Sequence, residues 1–259
     1  MPITSARRRI TPIHGSLYDA APAGGAYTAQ GVRFNGSTGL TVSALTGMAD
    51  GQKGILSFWF KFVGGDGQFQ LVMETRDQNS IVLYRDNAGH WSFTLANTVA
   101  SNALSYTGTS TWTTAMTGWA HMVTSWDLGG AGAANLYVND AAMTAPTFSG
   151  GVTINYLPTD TNFDFGARTG SVIPLQCDIA DFYFNTAEFV DLTVTANRRK
   201  FITAGLAPVD LGATGSIPTG TAPIIFFHGP VASWHTNDGT GGGFSIATGS
   251  LSASATNPP

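Results

Sequence analysis

Between positions 31 and 187 short apolar runs are separated by turn residues, and the run at 119–127 shows a period of two. In "WAHMVTSWD" (119–127), Trp119, His121, Val123 and Ser125 point one way, and Ala120, Met122, Thr124 and Trp126 the other. That spacing belongs to a β-strand. "DLGGAGAA" follows as a reversal, and "NLYVND" (135–140) reads as the returning strand, with Leu136 and Val138 on one face and Tyr137 on the other. Asn139-Asp140 is turn chemistry. Large apolar residues on both faces imply a sheet covered on both sides, as in a sandwich. "GILSFWFKFV" (54–63) has the same character and predicts a central strand.

Further strands are predicted on either side of Asn35-Gly36, a hairpin signal within 31–43. Three more are expected over 67–97, with turns at "RDQN" and "DNAG", and others at 102–108, 161–168 and 174–187. Residues 190–205 read as a short helix with a basic end, stopped by Gly205. Many short strands at regular spacing, with one short helix, predict an all-β, two-sheet antiparallel jelly-roll sandwich. Composition divides the chain into an N-terminal arm (1–30), a jelly roll (31–206), and a Pro/Gly-rich linker with a small β appendage (207–259). Trp59, Trp119 and Trp126 fall inside strand patterns and are expected in the core.

The appendage carries "IIFF", four apolar residues in a row, with Trp234 and Phe244 further on. Exposed on a monomer, such a patch would forgo several kcal/mol of burial at about 25 cal/mol per Å². Ile224, Ile225, Phe226, Phe227, Trp234 and Phe244 are therefore expected at an interface with another copy or another protein. Packing against the chain's own jelly roll is the alternative.

The chain has 259 residues, of which 43% are hydrophobic and only 11% charged, with a net charge of −4. No basic footprint for nucleic acid is present, and the cluster Arg7-Arg8-Arg9 reads as a solvated arm. The single cysteine, Cys177, excludes an internal disulfide and reads as a small buried hydrophobe. No apolar stretch follows the N-terminal charges, so a product made in the cytoplasm without a signal peptide is expected, with no membrane insertion.

"VRFNGSTGLTV", "LSFWFKF", "WAHMVTSWD…NLYVND", "FDFGAR" and "CDIADFYFNTAEF", in that order, resemble the concanavalin A-like jelly rolls, most of all the laminin-G-like modules. The likeness covers about positions 31–205. It departs at Gln176-Cys177 and at Asp140, where a glycine is usual. Beyond 223, "PIIFFHGPVASWHTNDGTGGGFSIATGSL" is similar to C-terminal segments of tailed-phage structural proteins that carry such jelly rolls. The resemblance implies a non-enzymatic structural or decoration protein of a virion. Other virion proteins, further copies of the chain, and possible host-surface glycan would be its partners. A free carbohydrate-binding module and a glycoside hydrolase are the alternatives.

Glycoside hydrolysis needs two carboxylates across a cleft. Only two glutamates exist, Glu74 and Glu188, and neither lies in a Glu-x-Asp-x-x-Glu pattern. Asp178 and Asp181 are three apart, and on a regular strand they point to opposite faces. No resident cofactor is expected. Calcium is the one possible metal, through Asp127, Asp140 or Asp160 at strand ends, as the resemblance implies for some laminin-G-like modules; turn-capping is the bland alternative for these carboxylates. Sugar recognition needs exposed aromatics with polar groups around them. Arg85, His90, Trp91 and Trp112, beside predicted turns, are the candidates for it, and Trp234 is a further tryptophan set among polar residues.

Overall fold

A computed structural model describes residues 27–75, 80–97, 101–156, 162–167, 173 and 175–259. The arm up to residue 26, the predicted "RDQN" turn and Asp160 lie outside these residues. Along the chain the strands are β1 (Val32–Asn35), β2 (Gly39–Val42), β3 (Lys53–Phe62), β4 (Gln70–Thr75), β5 (Ile81–Arg85), β6 (Trp91–Ala96), β7 (Asn102–Thr107) and β8 (Ala120–Asp127). Then come β9 (Ala133–Val138), β10 (Ala141–Ala142), β11 (Thr147–Phe148), β12 (Phe163–Phe165), β13 (Gln176–Asn185), β14 (Ile225–Phe227), β15 (Ser245–Thr248) and β16 (Ser252–Ala253).

Among the described residues these form two antiparallel sheets of eight strands. The first runs β10-β9-β8-β3-β13-β1-β16, with β14 also on β13. The second runs β11-β7-β6-β5-β4-β12-β2-β15. Period-two alternation sorts the side chains. From β3, Leu56, Phe58, Phe60 and Phe62 enter the core between the sheets, while Ile55 and Trp59 join smaller clusters on the outer face. Edge-to-face rings fill the interior: Phe58 and Phe60 meet Trp91, and Phe165 meets Phe182, Phe227 and Trp234.

Four expectations are corrected. β1 and β2 do not pair with each other: β1 lies in the first sheet and β2 in the second, so Asn35-Gly36 (Gly36 φ +87°) is a corner between sheets. The helix shrinks to one turn, Thr195–Arg198, because Asp191–Lys200 folds mostly as turns over the first sheet. Trp119 lies just before β8 and is half-buried.

The fourth correction concerns the C-terminal segment. β13 bonds β1 through Gln176–Ile179 and, beyond a bulge, bonds β14 through Phe182–Phe184. Ile225 and Phe227 face the sandwich core, and Phe226 faces the outer cluster. Ile224, Ile225, Phe226, Phe227, Trp234 and Phe244 are thus all buried within their own chain and form no exposed interface. The segment is a structural part of the jelly roll and not an appendage, since β15 closes one edge of the second sheet and β16 one edge of the first. None of the helices among the described residues is long and apolar enough to cross a membrane.

Candidate functional site

The structure does bring Arg85, His90, Trp91 and Trp112 together at one end of the sandwich, but it turns them inward. Trp91 is only 1% exposed, wedged among Phe58, Phe60 and Phe62. Arg85 is fully buried and lies over the Phe62 ring. Its guanidinium donates to Asp66 Oδ1 (3.0 Å), to the Trp112 carbonyl (2.9 Å) and to the Gly65 carbonyl, fastening loop 64–67 to loop 111–116. Asp66 also accepts from the Thr114 hydroxyl and backbone N–H. These bonds, the hydroxyl first, hold its carboxyl below the usual range. Trp112 is half-buried with its ring edge-on to Phe60. His90 is engaged with Asp86, 3.2 Å away. This cluster organises loops and presents no open stacking face of Trp91 or fork of Arg85.

Asp127 and Asp140 sit at opposite ends of β8–β9. Asp127 receives the Gly129 N–H and lies 3.6 Å from Lys53 Nζ. Asn139 and Asp140 both have positive φ (48° and 62°), the two-residue turn that the sequence announces. Asp140 accepts from Arg198 Nε (2.5 Å) and Arg199 Nη2 (2.6 Å). The bond from Arg199, then that from Arg198, depresses its pKa. Two guanidiniums occupy the carboxylate, so Asp140 is a docking point for residues 195–199 and not a calcium ligand. Among the described residues no three acidic, histidine or cysteine side chains converge as a metal site.

Asp178 and Asp181 also depart from a regular strand. The bulge between Ala180 and Tyr183, with Asp181 at φ 46°, resets the alternation. Both carboxylates therefore lie on the outer face of the first sheet. Asp178 is bound by Arg33 at 2.7 and 2.9 Å and by the Ser254 hydroxyl. Asp181 accepts from the Tyr27 hydroxyl at 3.0 Å, and burial raises its pKa to about 7. On the same face His121 Nε2 meets Ser57 Oγ at 2.9 Å, and burial pushes its pKa down to about 3. These groups are sealed beneath the chain that covers the sheet.

An open site with the chemistry for a ligand lies beside them. A groove of about 330 Å³ is lined by Lys61, Thr117, Gly118, Trp119, Thr256, Asn257 and Pro259. Trp119 is fixed on one side by Gly31, where a Cβ would come 2.7 Å from its ring. Its indole N–H donates to Thr256 Oγ1 at 3.2 Å. Lys61, opposite Asp178 in the β3·β13 register, shares the groove's lining with Trp119. A second depression, about 150 Å³, has Phe148 with Asn102, Ser105, Thr147 and Ser149 but no charged group. Sequence reasoning missed the groove because its lining comes from three separated stretches, and its only early signal was the Trp-Ala-His strand itself.

Two antiparallel eight-stranded sheets packed face to face define a jelly-roll sandwich of the lectin-like type. The chain belongs to the concanavalin A-like lectin/glucanases superfamily, whose laminin-G-type family model matches residues 34–189. A comparison with curated protein sequences finds no match. Among solved structures, a candidate carbohydrate-binding protein from Bacteroides ovatus is similar at 12% identity and a TM-score of 0.55. The likeness covers 90% of this chain and 62% of that one. A heptameric SAP-like pentraxin from Limulus polyphemus is 11% identical, with a TM-score of 0.44 over 64% of this chain and 79% of the pentraxin. The LG1-3 region of the laminin alpha2 chain is 16% identical, with a TM-score of 0.43 over 64% of this chain and 33% of that region.

Proposed function

We propose that the protein is a non-enzymatic glycan-recognition module and that the groove at Trp119 is its binding site. The observation that carries this reading is the half-buried indole, packed against Gly31 and sharing the groove with Thr117, Thr256, Asn257 and Lys61. Pyranose recognition uses such an aromatic wall with polar groups around it. The non-enzymatic reading is supported by the state of the carboxylates. Glu74 and Asp164 stand opposite each other across β4·β12, but both are buried. Asp178 is held by Arg33 and Ser254.

The stretch 223–251, similar to C-terminal segments of tailed-phage structural proteins that carry such jelly rolls, supports a place on a virion as a decoration, fibre or spike component in several copies. Titration with an oligosaccharide panel, followed by tryptophan fluorescence, tests the binding reading. A saturable change in the wild type that vanishes in Trp119→Phe is expected. A panel that leaves the signal unmoved counts against it. Mass spectrometry of purified particles from the source host tests the placement, and absence of the chain from them rejects it.

A further inference from the structure

We infer that residues 27–30 form a pH-operated strap: Tyr27 latches it to Asp181, and loss of the Asp181 proton releases it from the outer face of the first sheet. The bulge in β13 turns the Asp181 carboxyl outward beneath the strap, where the residue is only 3% exposed. Oδ1 accepts from the Tyr27 hydroxyl at 3.0 Å, and Oδ2 is buried with no partner among the described residues. No cation among them acts on this carboxyl. The groups that do are Tyr27 on the strap and Asp210, a like charge, on the stretch after β13. On β3 its neighbour is Trp59, whose ring lies 4.9 Å from that of His121 on β8, and burial keeps that imidazole neutral. Lys61 stands opposite Asp178 instead, and Arg33 on β1 is spent on Asp178. A carboxyl in such a place is stable as the neutral acid, and once charged it must regain water. Burial accordingly raises its pKa to about 7, from an ordinary 3.8. Burial, then the Asp181 charge, pushes the Tyr27 hydroxyl up, so it stays a donor throughout.

Two stretches meet over this part of the sheet, since Ala29 and Ile202 both pack with Trp59 and Ala180. The one around Ile202 is closed on itself: Ile202 bridges Pro208, and the Thr203 N–H donates to the Ala207 carbonyl. The strap has no such closure. Thr28 and Gln30 are exposed, and Ala29 is its one fully buried side chain. Before the Gly31 amide, the Tyr27–Asp181 bond is its only hydrogen bond among the described residues. With the strap lifted, Asp181 meets water and its pKa returns toward the ordinary value. Lifting is then linked to the loss of one proton. It becomes about tenfold more frequent for each unit of pH between about 4 and 7, and levels off above 7. The strap ends at Gly31, which packs against the Trp119 ring, so its release reaches the wall of the groove. The switch is independent of what the groove binds.

The test is thiol reactivity in the full chain carrying Ala29→Cys, a buried position that a reagent reaches only when the strap lifts. Modification is followed by mass spectrometry from pH 5.5 to 8.5, and each rate is divided by that of the same thiol in a short peptide. Cys177, buried in β13, reports opening of the whole fold in the same molecule. The introduced thiol should react at least about a hundredfold faster than Cys177, because a local opening is far more frequent than global unfolding. Its normalised rate should rise about tenfold per pH unit up to pH 7 and then level off. Adding Asp181→Asn should hold the rate at its pH 5.5 value throughout. Adding Tyr27→Phe instead removes the carboxylate's one donor, so the rise should continue beyond pH 7. Melting curves confirm that each variant folds, and if Asp181→Asn does not, the parent and Tyr27→Phe profiles decide. A flat profile in the parent, or a rise that persists in folded Asp181→Asn, would overturn the inference. So would an introduced thiol that reacts no faster than Cys177, since the strap would then open only with the whole fold.

Discussion

On its inner face the first sheet presents Leu56, Phe58, Phe60 and Phe62 from β3 and Ala120, Met122 and Trp126 from β8. On its outer face the same strands present Ser57, His121, Ser125, Trp59 and Lys61. The inner face is buried by another sheet, and its contacts are almost wholly apolar; the bond from Trp126 to the Tyr156 hydroxyl (2.8 Å) is an exception. The outer face is covered by irregular chain, and its buried polar groups meet in specific pairs. Ser57 holds His121. Ser125 bonds the Gly54 carbonyl and the Val190 N–H. Asp181 holds Tyr27. Area burial drives the first kind of packing and is indifferent to small shifts in direction. Hydrogen bonds in a dry setting fix where a covering loop must lie, and leaving one unmade is costly. One face supplies stability, and the other supplies the positions of the loops that frame the groove.

Removal of residues 207–259 should break this contrast most completely. The segment gives the core Ile225, Phe227, Trp234 and Phe244, so the truncated chain should show no cooperative melt. A truncated protein that melts like the wild type would contradict the architecture. Next in size is Trp126→Ala on the inner face, expected to cost about 3–5 kcal/mol in chemical denaturation through the cavity it leaves. On the outer face Asp178→Ala should cost less, about 2 kcal/mol, because Arg33 is partly exposed and water can serve it. If Asp178→Ala proves worse than Trp126→Ala, the division of labour between the faces is wrong.

The outer face should also carry the pH dependence. Asp181 has a folded pKa of about 7, above the unfolded value of about 4. The folded chain holds the extra proton, so this contribution is full below about pH 4 and is lost as pH rises through 7. Asp181→Asn, which mimics the protonated acid and tolerates the positive φ, should raise the melting temperature at pH 8 and change it little at pH 5. His121 acts in the opposite sense. Its folded pKa of about 3 lies below the unfolded value of about 6.5, so its contribution is full above about pH 6.5 and lost as pH falls toward 3. The smallest effect is expected at Trp119→Phe, less than about 1 kcal/mol, since the ring is only half-buried and a smaller ring keeps part of its contact with Gly31. A larger loss would move Trp119 from the groove to the core.

Most strands were legible because alternation is a local property that two-sided burial enforces. β3, β8, β9 and the Asn139-Asp140 turn follow directly from it. Alternation does not say what covers a face. Trp91 stands beside a turn, which points to exposure, yet it is packed among Phe58, Phe60 and Phe62. Trp119 continues a strand pattern, which points to the core, yet it borders a groove. Nor does alternation survive a bulge: one extra residue at Asp181 brings it to the same face as Asp178, against the parity read from the sequence. Asn35-Gly36 was a correct turn with the wrong partners, because a corner between sheets and a hairpin need the same positive φ at glycine. The groove depends on residues near 61, 119 and 257 meeting, a long-range fact that no local pattern holds.

The β1·β16 pair has a mechanical meaning. Gly31 and Ser254 are hydrogen-bonded at 2.8 Å, and Val32 faces Ala253, so the jelly roll begins and ends at one point on its surface. Tension applied through the two ends would open this short antiparallel pair one bond at a time, as a zipper opens, instead of shearing many bonds together. The domain would yield first at that seam, with the Gly31 support of Trp119 and the Asn257 wall of the groove among the first things to part. For the same reason the unit can be spliced into a surface loop of a host protein with little stretching of either junction. In such a setting, pulling on the host would loosen the grip on the ligand.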